Sequence, residues 1–311
     1  MENNRIYDII IIGGGPAGLS AAIYARRAML STLVIEKGAA GGQILITASI
    51  ENYPGGIKGE SGAEFAARLA EQAKSFGYDE AFGEVTEVDF SGNEKKVVAG
   101  GTEYRARAVI IATGSMPQTL GVDGEESFTG RGVSYCATCD GPFFRGMDVY
   151  VVGGGESAVE EALHLAKFAR KAVIIHRRDE LRATLSTQHK ARATENIEFM
   201  FDTVVKEIRG DALLNGLVVE NVKTGEVREL KPAEGDSAMG VFIFVGNRPQ
   251  TGAFEGAVEM NGGYIVTDCD MRTSAPRVYA AGDVRDKELR QVVTAAADGA
   301  IAAVMAEREL G

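Results

Sequence analysis

Two cysteines separated by two residues, Cys136 and Cys139, have the most specific chemistry in this sequence. A Cys-x-x-Cys spacing suits either a reversible disulfide or half of a zinc site. A zinc site needs two more soft or imidazole ligands, and the chain offers only Cys269 and histidines without ligand spacing. We therefore interpret the pair as a redox dithiol and Cys269 as a bystander. Asp140, which follows the pair, is predicted either to move protons or to cap a turn.

Two glycine-rich turns repeat the same arrangement 140 residues apart. Gly13-Gly-Gly-Pro-Ala-Gly18 stands between an apolar run and a helical stretch, and a second strand ends at Glu36. Gly153-Gly-Gly-Glu-Ser-Ala158 repeats this order, and its second strand ends at His176. Each first glycine precedes the end of its second strand by 23 residues. One such fingerprint is weak, but two at equal spacing predict two βαβ dinucleotide-binding units.

The first unit has the residues that an adenosine with a free ribose 2′-hydroxyl requires. Gly13, Gly15 and Gly18 suit the tight turn, the pyrophosphate approach and the helix–strand packing of such a unit. The helix N-terminus offers N–H donors to the phosphates. Glu36 can accept hydrogen bonds from the ribose hydroxyls, which favours FAD or NAD.

The second unit has a cationic cluster where the first has an acid. His176-Arg-Arg178 and Arg182 follow its second strand, and Ala158 replaces the third glycine. Arg178 and Arg182 share one face if this stretch is helical. Guanidinium groups bind phosphate oxygens bidentately, so we predict NADPH here and FAD in the first unit. The alternatives are a solvated arginine face and, for His176 alone, a structural role.

The order of these elements predicts an α/β fold of two Rossmann-like domains, with the NADPH domain inserted into the FAD domain. We expect the FAD-binding domain to cover residues 1–117 and 248–311, and the NADPH-binding domain with the cysteine pair to cover 118–247. The connections fall near residues 116–120 and 247–251. Further strands are predicted at residues 107–112, 240–245 and 277–281, and a last helix at 292–310.

The bulk composition narrows the classes of function. The 311 residues carry a net charge of −11, which disfavours nucleic acid and anionic membranes as partners. No apolar run approaches the roughly 20 residues of a membrane span. Three cysteines are too few for a secreted disulfide scaffold, and the polar residues 1–8 do not resemble a signal peptide. We expect a cytoplasmic protein.

Taken together, the motifs resemble those of bacterial-type, low-molecular-weight thioredoxin-disulfide reductases, which are class-II pyridine nucleotide-disulfide oxidoreductases. The resemblance extends over essentially the whole chain. The motifs that carry it are the two glycine-rich turns, Glu51-Asn-Tyr-Pro-Gly55, Ala112-Thr-Gly114, Cys136-Ala-Thr-Cys-Asp140, His176-Arg-Arg178 with Arg182, and Ala281-Gly-Asp283 with Arg290-Gln291.

The resemblance implies a role for each matched residue. Cys139 would face the flavin, Cys136 would attack the partner disulfide, and Asp140 would donate a proton. Arg131 and Phe143–Phe144 match the partner-docking surface, although Pro142 stands where some relatives carry an aromatic residue. The expected FAD contacts are Gly13, Gly15, Pro16, Ala17, Gly18, Glu36, Lys37, Gln43, Thr47, Asn52, Ala112, Thr113, Gly114, Gly282, Asp283, Arg290, Gln291 and Val292. The expected NADPH contacts are Gly153, Gly155, Glu156, Ser157, Ala158, His176, Arg177, Arg178 and Arg182.

The expected reaction is reduction of a thioredoxin disulfide by NADPH through FAD, in a homodimer without a metal. The cysteine pair precedes the NADPH unit, so a rotation between the two domains is expected to alternate the two half-reactions. The alternatives are a reductase of another thioredoxin-like or peroxiredoxin-linked partner, such as an alkyl hydroperoxide system with an added N-terminal domain. A ferredoxin–NADP reductase would lack the cysteine pair. A ferredoxin-fed reductase would lack the second glycine fingerprint, and a non-enzymatic nucleotide-binding module would need no redox cysteines.

Overall fold

The computed structural model of this chain describes residues 5–47, 50 and 52–311. The strands are β1 Ile6–Ile12, β2 Thr32–Glu36, β3 Asp79–Phe82, β4 Val85–Asp89, β5 Lys95–Ala99, β6 Thr102–Ile111, β7 Ser115–Pro117, β8 Val133–Ser134, β9 Asp148–Val152, β10 Lys171–Ile175, β11 Ile197–Met200, β12 Thr203–Gly210, β13 Leu214–Asn221, β14 Val227–Leu230, β15 Gly240–Ile243, β16 Asn247–Pro249, β17 Met260–Asn261, β18 Tyr264–Ile265 and β19 Val278–Ala280. The helices are α1 Pro16–Arg27, α2 Gly62–Lys74, α3 Glu125–Phe128, α4 Ala137–Asp140, α5 Glu156–Leu165, α6 Leu185–Ala193 and α7 Val292–Leu310. Short 3₁₀ helices cover Gly42–Ile46, Gly141–Phe144, Gly252–Phe254 and Gly282–Val284.

The chain divides into two compact units. Unit 1 contains Met1–Met116 and Arg248–Gly311, and unit 2 contains Pro117–Asn247. The sequence analysis places the corresponding boundaries after residues 117 and 247. Since each unit is built on a parallel βαβ core, the prediction of two Rossmann-like units, one inserted into the other, is confirmed.

Unit 1 is built on a sheet in the order β3-β2-β1-β6-β5-β4, with β19 also pairing with β6. Strands β1, β2, β3, β6 and β19 pair in parallel, and β4 and β5 are antiparallel. Successive residues of β1 face opposite sides: Ile9 packs into the core under α1 and α7, whereas Ile10 packs into the core on the other face. A central parallel strand is buried on both faces, which explains the unbroken apolar run in the sequence.

Unit 2 repeats this plan with the parallel sheet β11-β10-β9-β15-β8. A second, antiparallel sheet, β12-β13-β14, belongs to the same unit. Helix α5 packs with α4 and with β9 and β10, so the helix that carries the cysteine pair rests on the helix of the second glycine-rich turn. No helix in the described part of the chain is long and apolar enough to cross a membrane.

Candidate active site

The first glycine-rich turn is shaped by close backbone contacts. A Cβ at Gly13, whose φ is +109°, would lie 2.4 Å from the carbonyl oxygen of Ala112. A Cβ at Gly18 would overlap the carbonyl oxygen of Gly13. Gly15 is the N-cap of α1, Pro16 occupies its first turn, and space beside Gly15 is open. The turn therefore presents helix N–H groups to an open face, as a pyrophosphate site requires.

The carboxylate of Glu36 lies directly beside this turn. Its Oε2 accepts a hydrogen bond from Gly14 N at 2.6 Å, and its Oε1 accepts one from Gly38 N at 2.9 Å. Each oxygen retains a second lone pair for a ribose hydroxyl. Lys37, the next residue, is exposed.

A pocket opens next to Glu36, and the sequence analysis missed most of its lining. Its walls are Gly14, Leu19, Val34, Glu36, Gly38, Ala39, Ala40, Lys74, Tyr78, Glu80, Ala81 and Phe82. Tyr78 and Phe82 supply aromatic surface of the kind that covers an adenine ring. They belong to α2–β3, far from any glycine motif, so only the pairing of β3 with β2 brings them here.

The end of unit 1 where the flavin is predicted to bind assembles residues from distant parts of the chain. Asn52 Nδ2 donates to Gln291 Oε1 at 2.9 Å across 239 residues. Val292 packs against the cluster of Ile44, Ile50, Phe65 and Ala66. Gln43 is exposed on the 3₁₀ helix that contains Ile44, and Thr47 follows that helix. Glu51, which belongs to the same motif as Asn52, lies outside the described residues.

Other residues predicted to contact the flavin are held by contacts of their own. Thr113 Oγ1 donates to Gln250 O at 2.7 Å, and Gln250 N donates to Gly114 O at 3.0 Å, which fixes the turn after β6. The guanidinium of Arg290 lies over the ring of Tyr264, 4.2 Å from its centre. Its buried Nε has no hydrogen-bond partner among the described residues.

Asp283 provides the strongest structural indication of a polar ligand in unit 1. Its Oδ1 is buried and accepts no hydrogen bond within the described part of the chain. Burial raises the pKa of this carboxyl, and the charges of Lys287 and Arg290 oppose that rise. Burying a carboxylate oxygen without a hydrogen-bond partner costs free energy, unless a bound ligand donates a hydrogen bond to that oxygen. The residues present therefore fit a flavin whose polyol chain donates to Asp283.

The turn that carries Asp283 is held by the carboxylate of Asp298, which three neighbouring groups contact. The backbone N–H of Gly282 donates to Asp298 Oδ2 at 3.0 Å, and Lys287 Nζ and Arg285 Nη1 lie 2.8 and 2.9 Å from the same oxygen. Asp298 comes from the middle of α7 and is 7% exposed. Sequence motifs identified Asp283, whereas the supporting Asp298 was missed because no local pattern marks it.

The glycine-rich turn of unit 2 resembles that of unit 1, except that a histidine ring packs against its second glycine. A Cβ at Gly153 would lie 2.4 Å from the carbonyl oxygen of Phe244, and space beside Gly155, the N-cap of α5, is open. A Cβ at Gly154 would overlap the ring of His176. Ala158 is fully buried beneath the turn, and Ser157 is exposed.

The arginine cluster follows β10 on an irregular segment. The conditional expectation that Arg178 and Arg182 share a helical face is wrong, because residues 176–184 form no helix. Instead, Arg182 N donates to Gly154 O at 2.6 Å and folds the segment back on the glycine-rich turn. Arg177, Arg178 and Arg182 are exposed, and their guanidinium groups form no salt bridge with any described residue. Cations without counterions beside a phosphate-type turn fit a 2′-phosphate.

His176 is packed tightly against the turn. It is 5% exposed, and its Nε2 has no partner among the described residues. Burial lowers the pKa of His176, and the neighbouring Arg182, Arg178 and Arg177 lower it further. The neutral ring thus fills the space that Gly154 leaves open.

Glu156 begins α5 and ties the arginine segment to the turn. Its Oε2 accepts from Thr184 N at 2.6 Å, and its Oε1 accepts from the hydroxyl of Thr187. These hydrogen bonds lower the pKa of the carboxyl. The Glu156 carboxylate therefore binds its own chain at Thr184 and Thr187. It fits a role in supporting the arginine segment better than the direct NADPH contact expected from the motif.

Cys136 and Cys139 form a disulfide in unit 2, so the predicted pairing is confirmed. Cys136 is the N-cap of α4, and the N–H of Cys139 donates to Cys136 Sγ at 3.2 Å. A donor aimed at this sulfur also stabilises its thiolate after reduction. Asp140 ends α4, and burial raises its pKa, opposed by a hydrogen bond from Ser134. Cys269 is exposed and free, and lies in unit 1.

A redox disulfide in one dinucleotide-type unit, together with a second dinucleotide-type unit, defines a nucleotide-dependent disulfide oxidoreductase. The chain belongs to the pyridine nucleotide-disulphide oxidoreductase family, whose model matches residues 7–299. It is 50% identical over 309 residues to a thioredoxin reductase of Peptoclostridium litorale, covering 99% of this chain and 98% of the relative. It is 47% identical to a thioredoxin reductase of Bacillus subtilis, covering 97% and 94%.

A solved structure gives the same result. The thioredoxin reductase of Streptococcus pyogenes superposes with a TM-score of 0.93 at 47% identity, covering 99% of each chain. The cofactors typical of this family are FAD and NADPH. The open glycine-rich turns, the unpartnered Asp283 oxygen and the arginines without counterions fit these two cofactors.

Proposed function

We propose that this chain is an NADPH-dependent thioredoxin-disulfide reductase. The observation that carries the proposal is the Cys136–Cys139 disulfide in the same unit as a glycine-rich turn with three arginines that have no counterion among the described residues. Full-length identity to thioredoxin reductases supports the choice of partner.

Each unit has its own binding task. Unit 1 holds FAD: the turn from Gly13 to Gly18 accommodates the pyrophosphate, Glu36 the ribose and Asp283 the polyol chain. Unit 2 holds NADPH: the N-terminus of α5 accommodates the pyrophosphate, and the arginines accommodate the 2′-phosphate. FAD, when bound, supplies two-electron transfer between the nicotinamide and the disulfide.

The residues around the disulfide then perform thiol chemistry. After reduction, the Cys136 thiolate is stabilised by the Cys139 N–H and attacks one sulfur of the thioredoxin disulfide. The S–S bond of thioredoxin breaks, and a mixed disulfide with Cys136 forms. Cys139 then attacks Cys136 Sγ, restores the internal disulfide and releases reduced thioredoxin. Asp140 supplies the proton that the departing thiolate requires.

A rotation of the two units is part of this proposal. The disulfide and the nicotinamide site both belong to unit 2, and the flavin must react with each in turn. The described chain passes from one unit to the other at Met116–Pro117 and Asn247–Arg248, so a hinge there satisfies both steps. An engineered cross-link between the units should stop steady-state turnover while one half-reaction survives. Full turnover in every cross-linked form would contradict the rotation.

We further propose that the protein acts in the cytoplasm as a homodimer. Three cysteines, two of them a redox pair, suit a reducing compartment. The dimer follows from the family resemblance. Size-exclusion chromatography with light scattering tests it, and a monomer at working concentrations would contradict it.

A coupled assay tests the function itself. Purified protein should be yellow and should oxidise NADPH in the presence of oxidised thioredoxin. A panel that includes another thioredoxin-like protein and a peroxiredoxin-linked disulfide carrier identifies the partner. The proposal predicts the highest kcat/KM for thioredoxin, and a higher value for another carrier would reassign the partner.

A further inference from the structure

A buried serine, Ser134, joins the backbone of Cys136 to the carboxylate of Asp140. Its hydroxyl donates to Asp140 Oδ2 at 2.6 Å and accepts from Cys136 N at 3.0 Å. A hydroxyl has one proton and two lone pairs, so both contacts form at once. Ser134 is 4% exposed and is the last residue of β8, where it pairs with Phe242 of β15. The sheet therefore fixes the position of this hydroxyl.

The two oxygens of Asp140 have different environments. Oδ2 is held by Ser134, whereas the buried Oδ1 has no hydrogen-bond partner in the part of the chain that the structure describes. Burial raises the pKa of Asp140, and the Ser134 hydrogen bond lowers it. One oxygen is thus anchored, and the other is free for proton exchange.

Other titratable groups near this segment do not set the pKa of Asp140. Helix α5, which packs against α4, carries Glu156, Glu160, Glu161 and His164, and none of them contributes to the shift. The hydroxyl of Tyr135 donates to Glu125 Oε1 at 2.8 Å instead. Burial and Ser134 are the causes that act on this carboxyl.

We propose that Ser134 is a positioning residue that holds Asp140 for proton transfer during dithiol–disulfide exchange, a role that rests on the proposed function. When the Cys136 thiolate opens the partner disulfide, the departing thiolate takes the Asp140 proton, and the carboxylate keeps the Ser134 hydrogen bond. When Cys139 attacks Cys136 Sγ, its thiol proton passes to Asp140 and then to the second departing thiolate. The Cys136 thiolate and the Cys139 thiol together give up two electrons and one proton, Asp140 gives up the second proton, and the partner gains both electrons and both protons.

The sign of the pH effect follows from this cycle. Asp140 must be protonated to act as an acid, so the rate falls as pH rises through its pKa. Ser134→Ala removes a hydrogen bond that favours the carboxylate, so the pKa rises and the alkaline limb of the rate profile moves to higher pH. The maximal rate of thioredoxin reduction should fall about tenfold, because the carboxyl is no longer held in place.

Ser31 offers a matched control in unit 1. Its hydroxyl accepts from Asp8 N at 2.9 Å and donates to Asp8 Oδ2 at 2.8 Å, the same pattern of contacts as at Ser134. Ser31→Ala should leave the pH profile of thioredoxin reduction unchanged, since Asp8 has no part in the thiol chemistry.

The test compares holoenzymes of the wild type, Ser134→Ala, Ser134→Thr, Asp140→Asn and Ser31→Ala. The first readout is the pH profile of thioredoxin reduction. The second is the carboxyl stretch in infrared difference spectra of the oxidised and dithiol-reduced proteins across pH, assigned by its loss in Asp140→Asn. NADPH oxidation with an artificial acceptor should stay unchanged in Ser134→Ala, Ser134→Thr and Ser31→Ala. Ser134→Thr keeps the hydroxyl and should restore both readouts.

An unshifted carboxyl titration in Ser134→Ala, or the same loss in Ser134→Thr as in Ser134→Ala, would overturn the proposal. So would additive losses in the Ser134→Ala/Asp140→Asn double variant, since a positioning residue acts only through Asp140. If Ser134→Ala does not fold, Ser134→Gly removes the same hydroxyl group and takes its place in the test. If the wild type reduces no thioredoxin but the infrared shift occurs, the proposed function fails while Ser134 keeps its effect on Asp140.

Discussion

The replacement Asp298→Asn tests the buried ion cluster that supports the flavin site. Asp298 Oδ2 lies 2.9 Å from Arg285 Nη1 and 2.8 Å from Lys287 Nζ, and all three side chains are only 10–11% exposed. An amide of the same size leaves two buried cations without their counterion. Removing one partner of a buried ion pair costs about 3–5 kcal/mol of unfolding free energy.

The expected consequences are a lower melting temperature and weaker flavin binding. A loss of about 3–5 kcal/mol lowers the melting temperature by about 6–20 °C in a domain of this size. The same oxygen accepts from Gly282 N, so the turn that carries Asp283 loosens and the FAD content of the purified protein falls. Differential scanning fluorimetry and flavin absorbance per polypeptide measure both effects.

An exposed aspartate provides the control for Asp298→Asn. Asp79 pairs with Arg5 at 2.6 Å, but both side chains are about half exposed to solvent. An exposed pair contributes at most about 1 kcal/mol, so Asp79→Asn should barely move the melting temperature. Equal effects of the two replacements would refute the argument that burial makes the Asp298 cluster important for stability.

Three further predictions concern the cofactors and the cysteines. Replacing Arg177 and Arg178 with Gln should raise KM for NADPH at least about tenfold and leave KM for NADH nearly unchanged. Equal use of both coenzymes by the wild type would contradict the 2′-phosphate site. Cys136→Ser should leave a Cys139 thiolate that gives a long-wavelength charge-transfer band with FAD, and Cys139→Ser should give none. The opposite pattern of bands would reverse the two roles. Gly18→Ala should yield protein without flavin that still binds NADPH, because the new methyl overlaps backbone in the turn. Normal flavin content, measured by absorbance per polypeptide, would disprove this assignment.

Features that are local in sequence were predictable. The glycine-rich turns, the Cys136–Cys139 spacing and the arginines after the second βαβ unit each lie within a few residues of one another. Apolar runs such as β1 are buried on both faces in parallel sheets, so they indicated the fold class directly. Helix α7 was predicted with the ends that the structure shows, Val292 and Leu310, because its alanine-rich stretch is long and uninterrupted.

Shorter elements were less predictable. Helix α5 ends at Leu165, where the chain turns toward β10. Arg178 and Arg182 were expected to share one face if their segment were helical, but the segment instead folds back through the hydrogen bond from Arg182 N to Gly154 O. Helical spacing alone does not determine structure where a tertiary hydrogen bond competes with it.

The sequence by itself determined the fold class, the two nucleotide-type turns and the redox cysteine pair, because short-range spacing and apolar periodicity encode them. Only the tertiary structure decided which distant groups meet: the side chains of Asn52 and Gln291, and the Asp298 carboxylate with the backbone N–H of Gly282. It also decided that the hydroxyl of Ser134 holds Asp140. These contacts depend on how strands pair and helices pack. The spacing of residues along the sequence does not give the distances between segments that only folding brings together.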